Sequence, residues 1–293
     1  MARITFLGMG NIGSAVTCEL VKANNAVTAW NRTVSRPGVQ AAVDAGATFE
    51  PSIEAAISRS DIVMICVKYK TIIEMLAPLP RELFAGKTVV NFTTGSPGDA
   101  SSMDAKVRDL GAARYFDGAI MVFPSLIGAP ECTLVVSGES EDAYSDISGL
   151  LAPLGNARYL GAEIGAACRW DSAVLVQGSG LMAGMIIALS ILRKGSPDGK
   201  VGPLIDGMVP LVNSLVPVLH MLAESWDAEK SREDDEDSTA LFLEATETIK
   251  RTCEESGVDF GTLEGYLGKL KKAQELHGLD STFADLAPLY RKD

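Results

Sequence analysis

The chain has 293 residues, of which 47% are hydrophobic, and this is enough for two domains that each have a core. Its formal net charge is -12. Subtracting the number of Asp and Glu residues from the number of Lys and Arg residues gives a charge of 13 - 16 = -3 up to residue 162 and 13 - 22 = -9 beyond it. So acidic a second half argues against a nucleic-acid-binding surface.

The first predicted strand, Ile4 to Leu7, leads into a glycine-rich turn, GMGNIG, and then into a helix. In this context the first glycine makes a tight turn, the second lets the backbone approach a pyrophosphate, and the third lets helix and strand pack closely. The helix N-terminus then faces the anion. The motif therefore predicts a dinucleotide site, rather than a chance loop, formed by Gly8, Met9, Gly10, Asn11, Ile12 and Gly13.

The second predicted strand, residues 26–30, ends where an NAD-binding protein usually carries an acid for the ribose hydroxyl. This chain has no acid there. Asn31 and Thr33 can instead hydrogen-bond a 2'-phosphate, and Arg32 with Arg36 can supply positive charge. The segment favours NADP(H) over NAD(H); the alternative is a solvated loop with two ordinary surface arginines.

Strands and helices continue to alternate, which predicts a doubly wound parallel sheet. Because ligands bind at the carboxyl ends of such strands, Val67 and Lys68 and the segment 93–97, including Thr94, should line the cofactor crevice. The predicted strands lie near Thr48 and over 61–67, 88–92, 115–120, 132–137 and 159–160. The predicted helices run to about Ala45, from Pro51 onwards, and over 71–76.

A long apolar stretch follows, from Glu163 to Arg193, with no charged residue between Ser172 and Leu192. Its length alone would allow it to span a bilayer. We reject that interpretation because Gln177 and several glycines make a poor lipid-facing helix and no basic cluster precedes it. We expect a helix buried between two domains or two subunits, with Asp171 near its start, within reach of a ligand.

The remaining sequence has helical spacing at 205–219, 241–255 and 263–277, and its acidic run at 224–237 is typical of a solvated connection. We therefore predict a Rossmann-type α/β domain over residues 1–162, and a long helix with an all-helical domain over 163–293. The five cysteines are scattered without metal-ligand spacing, and no leader precedes the first strand, so we expect no metal site and a cytoplasmic protein.

Six motifs together carry a family resemblance: GMGNIGSA (8–15), WNRT (30–33), VNFTTGSP (90–97), DGAIMVFPSLIGAPECTLVVSGE (117–139), PLGNARYLG (153–161) and GAACRWD (165–171). On these motifs the chain resembles the imine reductases and reductive aminases, a branch of the beta-hydroxyacid dehydrogenase superfamily, and especially the fungal reductive aminases. The resemblance covers nearly all of the N-terminal half and the long helix.

The resemblance implies a catalytic role for Asp171, which stands where the hydroxyacid dehydrogenases carry a lysine. A carboxylate can hold a cationic amine or iminium, or donate a proton if burial raises its pKa. Without the resemblance, Asp171 could equally cap the helix or pair with Arg169. Several reductive aminases have a tyrosine about two turns further on, where this chain has Ser179, so imine formation on the enzyme stays open.

We thus expect an NADPH-dependent imine reductase, with reductive amination as an open further activity. The nicotinamide would lie near Val67, Thr94 and Met121, and Met121 and Ser179 are the residues expected at the substrate. The resemblance implies a homodimer and a small-molecule imine, or ketone plus amine, as substrate. No nucleic-acid or membrane partner is expected. Two alternatives stay open: a carbonyl reductase of the same superfamily, which the missing lysine disfavours, and an NADPH-binding protein without catalysis.

Overall fold

The computed structural model describes residues 2–227 and 239–291. It separates into two compact units, Met1–Val176 and Gln177–Asp293. The division falls within one helix, Ala166–Gly195, so this helix contributes its first turns to unit 1 and the remainder to unit 2.

Unit 1 is built on one sheet of eight strands in the order β3-β2-β1-β4-β5-β6-β7-β8. The reversal of strand order beside β1 is the arrangement of a doubly wound fold, as predicted. The strands are β1 (Arg3–Leu7), β2 (Ala26–Trp30), β3 (Thr48–Phe49), β4 (Ile62–Ile65), β5 (Thr88–Asn91), β6 (Arg114–Met121), β7 (Thr133–Ser137) and β8 (Asn156–Tyr159).

Six helices connect these strands, and apolar side chains cover both faces of the sheet. Neighbouring residues of one strand belong to different core clusters: Phe6 and Phe116 pack on one face, and Leu7 and Tyr115 pack on the other. This alternation follows from the two-residue period of a strand. The helices are α1 (Asn11–Lys22), α2 (Pro37–Asp44), α3 (Ile53–Ser58), α4 (Tyr69–Leu76), α5 (Pro97–Asp109) and α6 (Glu141–Leu151).

The sheet is mixed, which corrects the prediction of a purely parallel sheet. β7 runs antiparallel to β6, with Asp117 opposite Ser137 and Met121 opposite Thr133, whereas β8 is parallel to β7. The connection from β6 to β7 contains one short 3-10 turn, Pro124–Leu126, and no crossover helix. A parallel pairing would need such a crossover, so the short connection fixes the antiparallel direction.

Two helices, α5 and α6, were not predicted. Both begin with a serine cap: the Ser96 hydroxyl accepts from the Asp99 N–H in a capping box, and the Ser140 hydroxyl accepts from the Ala143 N–H. These caps satisfy N–H groups that a helix leaves without a partner in its first turn. Because α5 is largely polar, the apolar spacing that revealed other helices is weak there, and its cap was the available signal.

Unit 2 is helical, as predicted. Its core lies between α10, α11 and a C-terminal 3-10 segment, with Cys253, Leu267 and Leu270 buried. The acidic run predicted as a connection lies outside the described residues from 228 to 237, and its first four residues belong to a helix. The helices are α7 (Ala166–Gly195, shared with unit 1), α8 (Gly202–Ile205), α9 (Val209–Asp227), α10 (Thr239–Ser256), α11 (Gly261–His277) and the 3-10 segment Phe283–Tyr290.

Helix α7 is long and apolar enough to cross a membrane, and no other helix in the described ranges meets the same criteria. Its most apolar window of 18 residues has a mean hydropathy of 1.9, and only 6% of that window is buried. Within one chain this helix is therefore mostly uncovered, and the burial predicted for it is not observed.

Candidate active site

The glycine turn between β1 and α1 has the geometry that a dinucleotide requires. Gly8 has a φ of +112°, and a Cβ there would collide with the carbonyl oxygen of Cys66. A Cβ on Gly13 would collide with the carbonyl oxygen of Gly8. A Cβ on Gly10 would meet no atom within 4 Å, so the second glycine faces open space. Packing inside the protein therefore requires Gly8 and Gly13, whereas Gly10 leaves room for a ligand.

This difference predicts opposite results for two substitutions. Gly13→Ala should lower the free energy of unfolding by roughly 1–3 kcal/mol, because its methyl group has no room. Gly10→Ala should change it by less than about 0.5 kcal/mol, yet weaken NADPH binding, because its methyl group enters the ligand space. Denaturant unfolding and fluorescence titration with NADPH measure the two effects. Normal NADPH binding by Gly10→Ala would argue against a pyrophosphate at this turn.

A cleft of about 480 Å³ opens beside the glycine turn. Arg32 and Arg36 lie exposed on its rim, and within the described residues neither guanidinium forms an ion pair. Free cations near a helix N-terminus suit a phosphorylated ligand. The cleft therefore has a rim whose charge suits the phosphates of NADPH. Its lining residues are Gly8, Gly10, Asn11, Ile12, Gly13, Trp30, Asn31, Arg32, Thr33, Arg36, Cys66, Val67, Lys68 and Thr71.

Asn31 lines this cleft, but its side chain is occupied by the protein. Its Oδ1 accepts a hydrogen bond of 3.0 Å from the Met9 N–H, and its Nδ2 donates to the Thr33 carbonyl oxygen at 2.8 Å. The amide therefore joins the glycine turn to the loop after β2. In this arrangement Arg32, Thr33 and Arg36 have side chains available to a 2'-phosphate, whereas Asn31 holds the loop that carries them.

A second cleft of about 380 Å³ shares part of its wall with the first. It lies at the carboxyl ends of β4 and β5, where the Val67 N–H donates to the Thr93 hydroxyl at 3.3 Å. These strand ends form the edge at which doubly wound sheets bind ligands. The second cleft is lined by Ile12, Cys66, Val67, Lys68, Tyr69, Phe92, Thr93, Thr94 and Ile120.

Asp171 is connected to this second cleft by a hydrogen bond with Thr94, which lines it. It is the sixth residue of α7 and is 2% exposed. Burial raises the pKa of its carboxyl group, and a hydrogen bond with the Thr94 side chain opposes that rise. Asp171 does not cap α7, and Arg169 pairs with Glu163 instead. Both simpler explanations of Asp171 are therefore wrong, and a carboxyl group with raised proton affinity stands next to a residue of the cleft wall.

The first turn of α7 is fixed against the sheet, and this determines where Asp171 lies. The Ser137 hydroxyl, at the end of β7, accepts from the Ala167 N–H at 3.0 Å and donates to the Ile164 carbonyl oxygen at 3.2 Å. Ala167 packs against Ala119 of β6. Ser137 thus satisfies an N–H group that the helix itself leaves without a partner.

Three other predicted site residues lie elsewhere. The Met9 side chain is buried in the core, so only its backbone faces the glycine turn. Met121 ends β6, one residue after Ile120, which lines the second cleft. Ser179 is exposed in unit 2. Sequence analysis did not single out several lining residues, although all except Tyr69 and Thr71 lie at or next to strand ends: Trp30, Cys66, Tyr69, Thr71, Phe92 and Ile120.

Comparisons with known proteins also indicate a dinucleotide-binding domain in the N-terminal half. Residues 3–162 match the family model described as the NAD binding domain of 6-phosphogluconate dehydrogenase. An NADPH-dependent reductive aminase of Aspergillus oryzae is 29% identical over 225 residues, which cover 76% of this chain and 75% of that protein.

Solved structures extend the similarity to the whole chain. A reductive aminase from Aspergillus terreus, in complex with NADPH and ethyl-5-oxohexanoate, superimposes with a TM-score of 0.90 at 29% identity, covering 99% of this chain and 100% of that one. An imine reductase from Myxococcus stipitatus, in complex with NADP+, gives a TM-score of 0.88 at 27% identity with the same coverage.

Proposed function

Because the chain belongs to the family of the NAD binding domain of 6-phosphogluconate dehydrogenase, we propose that its cleft binds NADPH and that it acts as an imine reductase. The predicted resemblance to reductive aminases and imine reductases is confirmed. The observation that carries the proposal is the buried carboxyl group of Asp171 next to Thr94. An anionic or protonatable carboxyl group suits a substrate whose reacting nitrogen becomes positively charged.

NADPH supplies the hydride that reduces a C=N carbon. The residues of this chain would perform the remaining work. Arg32, Thr33 and Arg36 bind the 2'-phosphate, and the wall at Val67 and Thr94 excludes water from the reacting atoms. Asp171 holds the positively charged nitrogen. Where a ketone and an amine condense, it donates the proton with which the carbinol oxygen leaves as water.

The test follows NADPH oxidation by the purified protein with three mixtures: a cyclic imine, a ketone alone, and the ketone with an amine. We expect oxidation with the imine. Oxidation that needs ketone and amine together would add reductive amination to the activity. Oxidation with ketone alone would instead identify the carbonyl reductase alternative. Tight NADPH binding without oxidation in any mixture would favour the non-catalytic alternative.

We also propose a cytoplasmic homodimer in which a second subunit covers α7. Three apolar side chains on this helix are largely exposed: Val176 is 72% exposed, Met182 58% and Ile186 59%. An apolar surface of this extent in a water-soluble protein indicates a protein interface. The functional division of the chain, with NADPH bound by residues 1–162 and subunits paired through 163–293, belongs to the same proposal.

The homodimer makes a prediction about mass in solution. Light scattering should give twice the chain mass of 31.0 kDa, and the double variant Met182→Lys with Ile186→Lys should shift the protein towards monomer, because two charges would enter an apolar interface. Ser102→Lys, at an exposed position of α5, is the matched control and should stay dimeric. A monomeric wild-type protein, or one that sediments with lipid vesicles, would contradict the proposal.

A further inference from the structure

Asp117 is a second buried carboxyl group in unit 1, and the proposed reaction does not use it directly. It lies in β6, paired with Asn91 of β5 and Ser137 of β7, and is 1% exposed. Three side chains donate to it: Tyr115 Oη at 3.1 Å, Asn91 Nδ2 at 3.4 Å and Cys168 Sγ at 2.9 Å. The carboxyl group therefore joins two strands to helix α7.

Two of these neighbours, Cys168 and Asn91, lead to Asp171 by a short route. Cys168 precedes Asp171 by three residues, which is about one turn of α7. Asn91 uses its Oδ1 to accept from the Thr93 N–H at 3.1 Å, and the next residue, Thr94, hydrogen-bonds Asp171. Asp117 thus holds both the helical turn that carries Asp171 and the strand end that contacts it.

Asp117 and Asp171 are also coupled by charge. Burial raises the pKa of Asp117, hydrogen bonds from Cys168, Tyr115 and Asn91 oppose the rise, and the nearby Asp171 adds to it, so that the pKa is about 6. Asp117 is therefore mostly ionised above neutral pH. Two carboxylates in one buried region oppose each other's ionisation.

Among the residues that the structure describes, the groups around Asp117 include no compensating cation. They are Tyr115 on its own strand, Asn91 on β5, and Cys168 and Asp171 on α7. Tyr69 of α4 also interacts with Asp117 and Cys168, and Asp99 of α5 interacts with both Tyr69 and Cys168. All of these groups are neutral or acidic. Nothing among them cancels the effect of an ionised Asp117 on Asp171.

A purely structural role would not require an acid at this position. An asparagine could accept from Tyr115 and Asn91 with its oxygen and direct its amide group towards the Cys168 sulfur. It would avoid the cost of burying an ionised carboxyl group, which is substantial without a cation. A carboxylate here therefore has an effect that the hydrogen bonds alone do not explain.

We propose that Asp117 is a positioning residue for the reaction, which fixes Asp171 through Cys168 and Asn91 and whose negative charge keeps Asp171 able to take up a proton. The proposal rests on the proposed role of Asp171 for its catalytic consequence only. The arrangement and the charge coupling exist whether or not the protein reduces imines, and they can be measured without cofactor or substrate.

The test measures the titration of Asp171 by NMR on protein with isotope-labelled aspartate carboxyl groups. The signal of Asp171 is identified by its loss in Asp171→Asn. We expect Asp117→Asn to move the titration midpoint of Asp171 to lower pH by about one unit, because a neighbouring negative charge has been removed. In active protein, the limb of the pH profile of kcat/KM that depends on Asp171 should move by the same amount and in the same direction.

Ser137→Ala is the matched control. It removes an anchor of the same helical turn through Ala167 but leaves both carboxyl groups in place. It should lower the free energy of unfolding, while the midpoint of Asp171 moves much less than in Asp117→Asn. A midpoint that moves equally in both variants would show that loosening of α7, and not the charge of Asp117, sets the proton affinity of Asp171.

A reciprocal measurement covers the case in which Asp117→Asn does not fold. The coupling free energy between two titrating groups is mutual, so Asp171→Asn should also lower the midpoint of Asp117. An Asp117 midpoint that stays unchanged in Asp171→Asn would overturn the proposal. If the midpoints shift as expected but no mixture oxidises NADPH, the coupling stands and the proposed function fails, so the two failures are distinguishable.

Discussion

Asp171→Asn is expected to lower the turnover of an imine at least about a hundredfold, the usual scale for loss of an acid-base group. The amide has the shape of the carboxyl group and can keep the hydrogen bond with Thr94, so the fold and the cleft wall should be preserved. It cannot carry the negative charge or exchange the proton. Initial rates at saturating NADPH measure the loss.

The dissociation constant of NADPH should stay nearly unchanged in this variant, because Asp171 is not among the residues that line the cleft beside the glycine turn. Glu163→Gln is the matched control: it neutralises an exposed acid just before the same helix, where Glu163 pairs with Arg169, and should retain full turnover. If Asp171→Asn turns over at the wild-type rate, Asp171 has no part in the mechanism.

Replacing the rim arginines should cause the second large effect. Arg32→Ala is expected to raise the KM for NADPH roughly ten- to hundredfold, because hydrogen bonds between a guanidinium group and a phosphate contribute about 1.5–3 kcal/mol. NADH lacks the 2'-phosphate, so its KM should change little. Adding Arg36→Ala should enlarge the difference between the two cofactors. Steady-state kinetics with both cofactors measures the preference.

Arg59→Ala serves as the control for this prediction. Arg59 is an exposed arginine of the same unit that pairs with Glu50 rather than facing the cleft. Its replacement should leave both KM values unchanged. An equal loss of affinity for NADPH and NADH in Arg32→Ala would mean that Arg32 contacts a part of the cofactor common to both, such as the pyrophosphate.

The glycine turn and the order of the first strands could be predicted because their signals are local. Gly13 is required by the carbonyl oxygen of Gly8 within the same turn, and the spacing of the motif reports that contact, although the contact that requires Gly8 comes from Cys66. The direction of β7 could not be predicted in this way, since apolar alternation is the same in parallel and antiparallel strands. Only the length and content of the connection before Thr133 distinguish the two.

The residues of the site could likewise be predicted from the sequence only in part. Asp171 stood out because it is the lone carboxyl group at the start of an apolar run, and its place in the family resemblance was visible. Asp117 lies at the start of the motif 117–139, and nothing in the sequence around it indicates a role. Its importance depends on contacts with Asn91 and Cys168, which are 26 and 51 residues away in the chain. Such a network exists only after the sheet and α7 have come together.

The two hydrogen bonds of Asn31 restrict how this protein could be redesigned to accept NADH. The direct route would install the acid that NAD-binding proteins carry after the second strand, as Asn31→Asp. The new carboxylate could still accept from the Met9 N–H, but its other oxygen would face the Thr33 carbonyl oxygen, where the amide now donates at 2.8 Å. Two acceptors would oppose each other and push the loop away. A change of coenzyme would therefore have to begin at Arg32, Thr33 or Arg36, with Asn31 retained as the support of the new contacts.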